Sequence, residues 1–156
     1  MNKFDTMFKQ EQNKIAIEKD LAQQRIDAKA KVIIDFCEEN QIFDFLDYLN
    51  NKFIVKKTSV NYHVDRQIYT VDMVYDYNRE KRIQEIKKGY RLRVGIQYKW
   101  SNGGIYDTLV VDCIDFKPVL TYEDKRVTPE VFMQTVIAQI QDTIDKNAGS
   151  IQIIEK

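Results

Sequence analysis

Residues 90–114, YRLRVGIQYKWSNGGIYDTLVVDCI, constrain the fold of this chain more than any other stretch. Leu92, Val94, Ile96, Tyr98 and Trp100 alternate with Arg91, Arg93, Gly95, Gln97 and Lys99. That period of two belongs to a half-buried strand. Asn102-Gly103 follows, the dipeptide that best tolerates the positive φ of a type I′ turn, and apolar residues resume at Ile105. With Asn102 and Gly103 as the turn, Trp100 faces Ile105, Ile96 faces Leu109, Val94 faces Val111 and Leu92 faces Cys113. Asp107 then lies opposite Tyr98 on this apolar face. On the other face Arg93 lies opposite Asp112, and Lys99 opposite Tyr106. A slip of one residue would send one apolar set into water, whereas a slip of two keeps the faces. The facing is therefore fixed more firmly than the pairing.

Around this hairpin the periodicity predicts an α+β fold. Residues 5–39 read as one long helix capped at Asp5. Its second half has an apolar face of Ala22, Ile26, Ala30, Ile33 and Cys37, whereas its first half is mostly polar with Phe4, Phe8 and Ile15 on one side. Residues 1–22 are expected to project as a helical arm, or to pair with another copy of the chain. Glu39-Asn40-Gln41 breaks the helix, and IFDFLDYLNN forms a second. Residues 53–64 and 67–77 read as strands about a turn near Asp65-Arg66. Residues 78–88 read as a short basic helix with Gly89 as its C′ residue. Pro118 is expected to end the strand after Ile105, with an edge strand over 119–122. Thr128-Pro129-Glu130 starts a C-terminal helix with an apolar stripe of Phe132, Met133, Val136, Ile137, Ile140 and Ile144. The tail IQIIEK can add a short strand. The expected architecture is a single domain over 1–156. It has two N-terminal helices, the first long, an antiparallel sheet of four to five strands, and a C-terminal helix packed on that sheet.

The chain has 156 residues, enough for one domain with a sizeable core. Apolar runs are too short for a membrane span, and the N-terminus lacks the apolar stretch of a signal peptide. The two cysteines, Cys37 and Cys113, sit among apolar neighbours and read as buried thiols. These features favour a cytoplasmic protein with no membrane partner.

Catalytic signatures are scarce. His63 is the only histidine and reads as a strand residue beside a turn. No Walker loop, GxGxxG, HExxH or CxxC occurs, so no cofactor or metal is implied. Asp72 and Asp76 share a strand face but stand roughly 13–14 Å apart, too far to share one ion. With Asp112 they would be the acids of a small metal-dependent phosphodiesterase, which is the enzymatic alternative.

Formal charge sums to zero but is unevenly spread. Residues 79–100 carry eight Lys or Arg against two acids, while residues 1–50 carry seven against ten. The cations Arg79, Lys81, Arg82, Lys87, Lys88, Arg91, Arg93 and Lys99 are interleaved with Tyr77, Tyr90 and Tyr106. Cations with aromatic platforms suit a phosphate backbone and single-stranded bases. The competing view is that this block balances the acidic helices. The sequence thus favours a non-enzymatic binding or regulatory module over an enzyme. Its basic hairpin face and helical arm would contact a nucleic acid or a nucleic-acid-processing protein, as an accessory inhibitor of a phage or mobile element would. Self-association through the long helix is the structural alternative.

Overall fold

The computed structural model describes residues 2–55, 61–64, 67–71, 77–96, 100–101, 107–146 and 153–155. The fold is α+β. Helices α1 (Lys3–Glu39) and α2 (Ile42–Lys52) are followed by strands β1 (Phe53–Val55), β2 (Asn61–Val64) and β3 (Gln67–Val71). Helix α3 (Arg79–Lys87) then leads into β4 (Leu92–Ile96), β5 (Trp100–Ser101), β6 (Asp107–Ile114), β7 (Lys117–Tyr122) and β8 (Lys125–Arg126). Helix α4 (Pro129–Lys146) and strand β9 (Ile153–Glu155) complete the chain.

The alternating run begins as expected. Leu92, Val94 and Ile96 are buried, and Arg93 between them is exposed. The pairing, however, is shifted by two. Leu92 faces Val111, Val94 faces Leu109 and Ile96 faces Asp107. Both strands keep their apolar faces, which is why burial alone could not choose between the two registers. Arg93 consequently faces Val110, and Asp112 is held instead by Lys29 of α1 at 3.2 Å. The end of the run turns to another neighbour: Trp100 pairs with Val71 of β3. The expected Asn102-Gly103 turn and the pairs made by Tyr98, Lys99, Ile105 and Tyr106 lie outside the described residues.

One contiguous run therefore feeds two ladders. An antiparallel sheet of order β4-β6-β7-β8 holds the core face, and a three-stranded ladder runs β2-β3-β5. Of the expected strand over 53–64, β1 pairs with β9 from the tail and β2 pairs with β3, while residues 56–60 lie outside the described residues. Two tight turns connect the four-stranded sheet. Asp115-Phe116 and Glu123-Asp124 each place two residues at positive φ, between 51° and 61°. This is type I′ geometry made without glycine. Pro118 does not end a strand; it is the second residue of β7, paired with Cys113. One residue beyond the pair that closes a two-residue hairpin, its nitrogen points away from β6, and β8 reaches only Thr121 and Tyr122. The missing N–H therefore costs no ladder bond.

The helices cover the apolar face of this sheet. Ile33 and Cys37 of α1, Phe43 and Leu46 of α2, Ile86 of α3, and Phe132, Val136 and Ile140 of α4 join the inner residues of β4, β6 and β7 in one core. Phe132 is the hub. Its ring meets Tyr122 of β7 at 5.1 Å and Phe45 of α2 at 5.6 Å, both edge-to-face. Such pairs add about 0.5–1.5 kcal/mol beyond burial. The Thr128 hydroxyl caps α4, accepting from the Val131 N–H at 3.2 Å. Helix α1 is capped by Asn2 rather than Asp5; the Asn2 side chain accepts from the Asp5 N–H at 2.9 Å. Gln41, at φ 58°, makes the break between α1 and α2.

Candidate binding surface

Two exposed features meet at one corner of the fold. The first is the N-terminal part of α1. Every residue from 2 to 25 is exposed, a length of about 36 Å of helix. Phe4 and Phe8 are 68% and 71% exposed. Met7, Ile17 and Leu21 are exposed too, and sequence reasoning passed over them because they lie off the Phe4–Phe8–Ile15 line. Burial begins only at Ile26 and is complete at Ala30, Ile33 and Cys37. The same apolar stripe is thus covered in the second half of one helix and bare in the first. Among the described residues, no helix is long and apolar enough to cross a membrane.

The second feature is the turn between α3 and β4. The Asn78 side chain caps α3 at the Lys81 N–H. At the other end the Gly89 N–H bonds the Ile86 carbonyl at 3.0 Å and the Tyr90 N–H bonds the Glu85 carbonyl at 3.1 Å. This is the Schellman pattern, and Gly89 supplies its left-handed residue at φ 94°. A Cβ at Gly89 would lie 3.4 Å from Ile26 Cγ2, so the turn sits directly on α1 where the helix becomes exposed. Lys87, Lys88, Tyr90 and Arg91 emerge from this turn into solvent, and Arg93 follows on the open face of β4.

The rest of the basic set divides differently. Arg79 pairs with Asp47 at 3.1 Å and Asp44 at 3.3 Å, and its guanidinium lies over the Phe43 ring at 5.3 Å. It fastens α3 to the acidic side of α2. Burial works against its charge, but the bonds to Asp47 and Asp44 more than offset this and hold it more firmly protonated. Arg82 pairs with Glu85 at 3.0 Å. For Arg79 the balancing view holds, whereas Arg82 is neutralised within its own helix. Tyr77 is not a stacking platform: it is 4% exposed and lies in the core. Its backbone is clamped by Asn50, which accepts from the Tyr77 N–H at 3.3 Å and donates to its carbonyl at 3.2 Å. Lys99 lies outside the described residues. The surviving surface is Lys87, Lys88, Tyr90, Arg91 and Arg93, beside the base of the exposed helix.

A further exposed apolar point is the β6–β7 turn, with Ile114 and Phe116 at 49% and 69% exposure. Nothing in the sequence marked it, since Asp-Phe is not a usual turn dipeptide. As for the proposed metal acids, Asp112 is engaged by Lys29, and Asp72 and Asp76 lie outside the described residues. Among the described residues no group of three or more His, Cys, Asp or Glu gathers as metal ligands would. Comparison with known proteins finds no matching family model, no matching curated protein and no matching solved structure.

Proposed function

We propose that this chain is a non-enzymatic binding module that contacts a macromolecular partner through the exposed half of α1 and the basic corner beside it. The observation that carries the reading is their juxtaposition. Helix α1 leaves a corner whose Lys87, Lys88, Arg91 and Arg93 have no ion pair among the described residues, exposes Leu21 and Ile17 nearest to it, and carries Phe8, Met7 and Phe4 about 27–33 Å farther along its axis. Apolar side chains in such a strip mark contact surfaces. Unpaired cations beside an exposed tyrosine suit a nucleic acid, or the acidic face of a protein that handles one. A cytoplasmic setting fits the two free thiols, Cys37 and Cys113. A role as an accessory inhibitor of a host enzyme would use the same surface.

The test compares the intact chain with a variant carrying Lys87→Gln, Lys88→Gln and Arg91→Gln. Both are used to capture partners from a cell extract, with and without nuclease, and to bind a fluorescent single-stranded oligonucleotide over a salt series. The variant is expected to capture less. For the oligonucleotide its log–log salt slope should be shallower, because fewer counterions are released. Its stability should change by only about 0.5 kcal/mol per site. Equal capture and equal salt slopes would remove the basic corner from the function.

A further inference from the structure

We infer that the occupant of the bare stripe on α1 is the same stretch of a second copy of this chain, laid antiparallel. The inference rests on the reading of this helix as a contact surface and names its partner. Phe4, Phe8, Glu11, Ile15, Glu18 and Ala22 follow one another at alternating steps of four and three, the spacing that keeps one seam facing a neighbouring helix. After Ala22 the alternation gives way to successive steps of four through Ile26 and Ala30, and there the chain's own fold covers the stripe.

Charge decides the orientation. A parallel, in-register pair would stack Glu11 on its copy and Glu18 on its copy, and would bring Lys14 against Lys19 of the second chain across the seam. All of these contacts repel. In an antiparallel pair with Phe4 opposite Ala22, Phe8 meets Glu18 and Glu11 meets Ile15. Asp5 then lies beside Lys19 of the second copy and Glu11 beside its Lys14, against a single repulsion, between Lys14 and its own copy at the dyad. Each attractive pair occurs twice by symmetry. The large Phe4 faces the small Ala22, and the overlap spans the whole exposed stretch. Among the described residues, no ion pair within the chain engages Asp5, Glu11, Lys14 or Lys19, so all four are available. Residues 2–25 carry five cations and four acids, so two copies meet without net repulsion of consequence.

Asp5 and Lys19 are 14 positions apart on one helix, about 21 Å along its axis. They cannot touch within one chain, and a parallel pair would not bring them together. Charge exchange between them therefore reports only on antiparallel association. The experiment is sedimentation equilibrium of the full chain over a concentration series, with Asp5→Lys, with Lys19→Asp, and with both. The parent is expected to dimerise. Each single reversal turns two attractions into two repulsions and should raise the dimer dissociation constant roughly tenfold. The double variant should return to near the parent value. Circular dichroism confirms that all four chains remain helical. A monomer at every concentration overturns the inference. So does a dimer indifferent to the reversals, or a double variant no tighter than the singles. None of these readouts involves the basic corner or nucleic acid, so their failure is separable from failure of the binding reading.

Discussion

Replacing Tyr77 with Phe should stabilise this protein, although tyrosine-to-phenylalanine changes in a core ordinarily remove a hydrogen bond. The Tyr77 hydroxyl is buried and has no hydrogen-bond partner among the described residues. Burial pushes its ionisation well above the ordinary tyrosine value, with the nearby Asp47 charge adding to the effect. A buried hydroxyl without a partner carries a desolvation cost of about 1–3 kcal/mol. Removing the oxygen leaves the ring, its packing and the Asn50 clamp on the backbone in place. The expected gain is about 1 kcal/mol, which for a chain of this size raises Tm by about 2–4 °C. Urea melts of both chains measure it, and the slope of the transition should not change. Partner capture should not change either, because the residue is enclosed in the core. A loss of about 1 kcal/mol or more would refute the reasoning. It would mean that the hydroxyl is bonded, as a water shared with the unpartnered Arg82 Nε would allow.

Other perturbations have equally definite outcomes. Phe132→Ala removes the ring that joins Tyr122 to Phe45, and should cost about 3–5 kcal/mol in the same melts; a cost near 1 kcal/mol would displace Phe132 from the centre of the core. Burial, with a contribution from Glu38, pushes the Cys37 thiol up to about 12 from an ordinary value of 9.0. Because the folded value lies above the unfolded one, the stabilisation is complete below pH 9.0 and declines as pH rises toward about 12. Cys37→Ala should therefore be less stable at neutral pH yet lose less on going from neutral to alkaline solution, measured by denaturant melts across that range.

Much of this architecture is legible in the sequence, and the reasons differ by element. Helix α4 is announced by Thr128-Pro129-Glu130, because a cap, a fixed φ and an acid at the first turn all favour the same start. The turn after α3 is legible because only glycine readily takes its left-handed position. The faces of β4 and β6 follow from alternation, but their register does not. A shift of two residues preserves every buried side chain, and partners distant in sequence, invisible to local pattern, engage the residues expected to pair across the hairpin: Lys29 pairs with Asp112, and Val71 with Trp100. The Asp115-Phe116 and Glu123-Asp124 turns are hidden because residues that favour other conformations adopt positive φ there. The candidate surface was legible in part. Composition located the cations but could not say which were already paired. Arg79 and Tyr77 left the set because α2, distant in sequence, supplies Asp44, Asp47, Phe43 and Asn50. The bare half of α1 was foreseen from its shortage of apolar neighbours, although its full apolar complement was not.

The central claim is that the exposed half of α1 and the corner at its base are where this protein meets its partner. Hydroxyl-radical footprinting of the intact chain tests it most directly, at one high dilution, without and with the captured partner bound. Met7, Phe8 and Tyr90 should react readily in the dilute chain and be protected in the complex, while Phe43 and Phe132 stay unreactive in both. Equal reactivity of Met7, Phe8 and Tyr90 in the two states, with the partner demonstrably bound, would contradict the account.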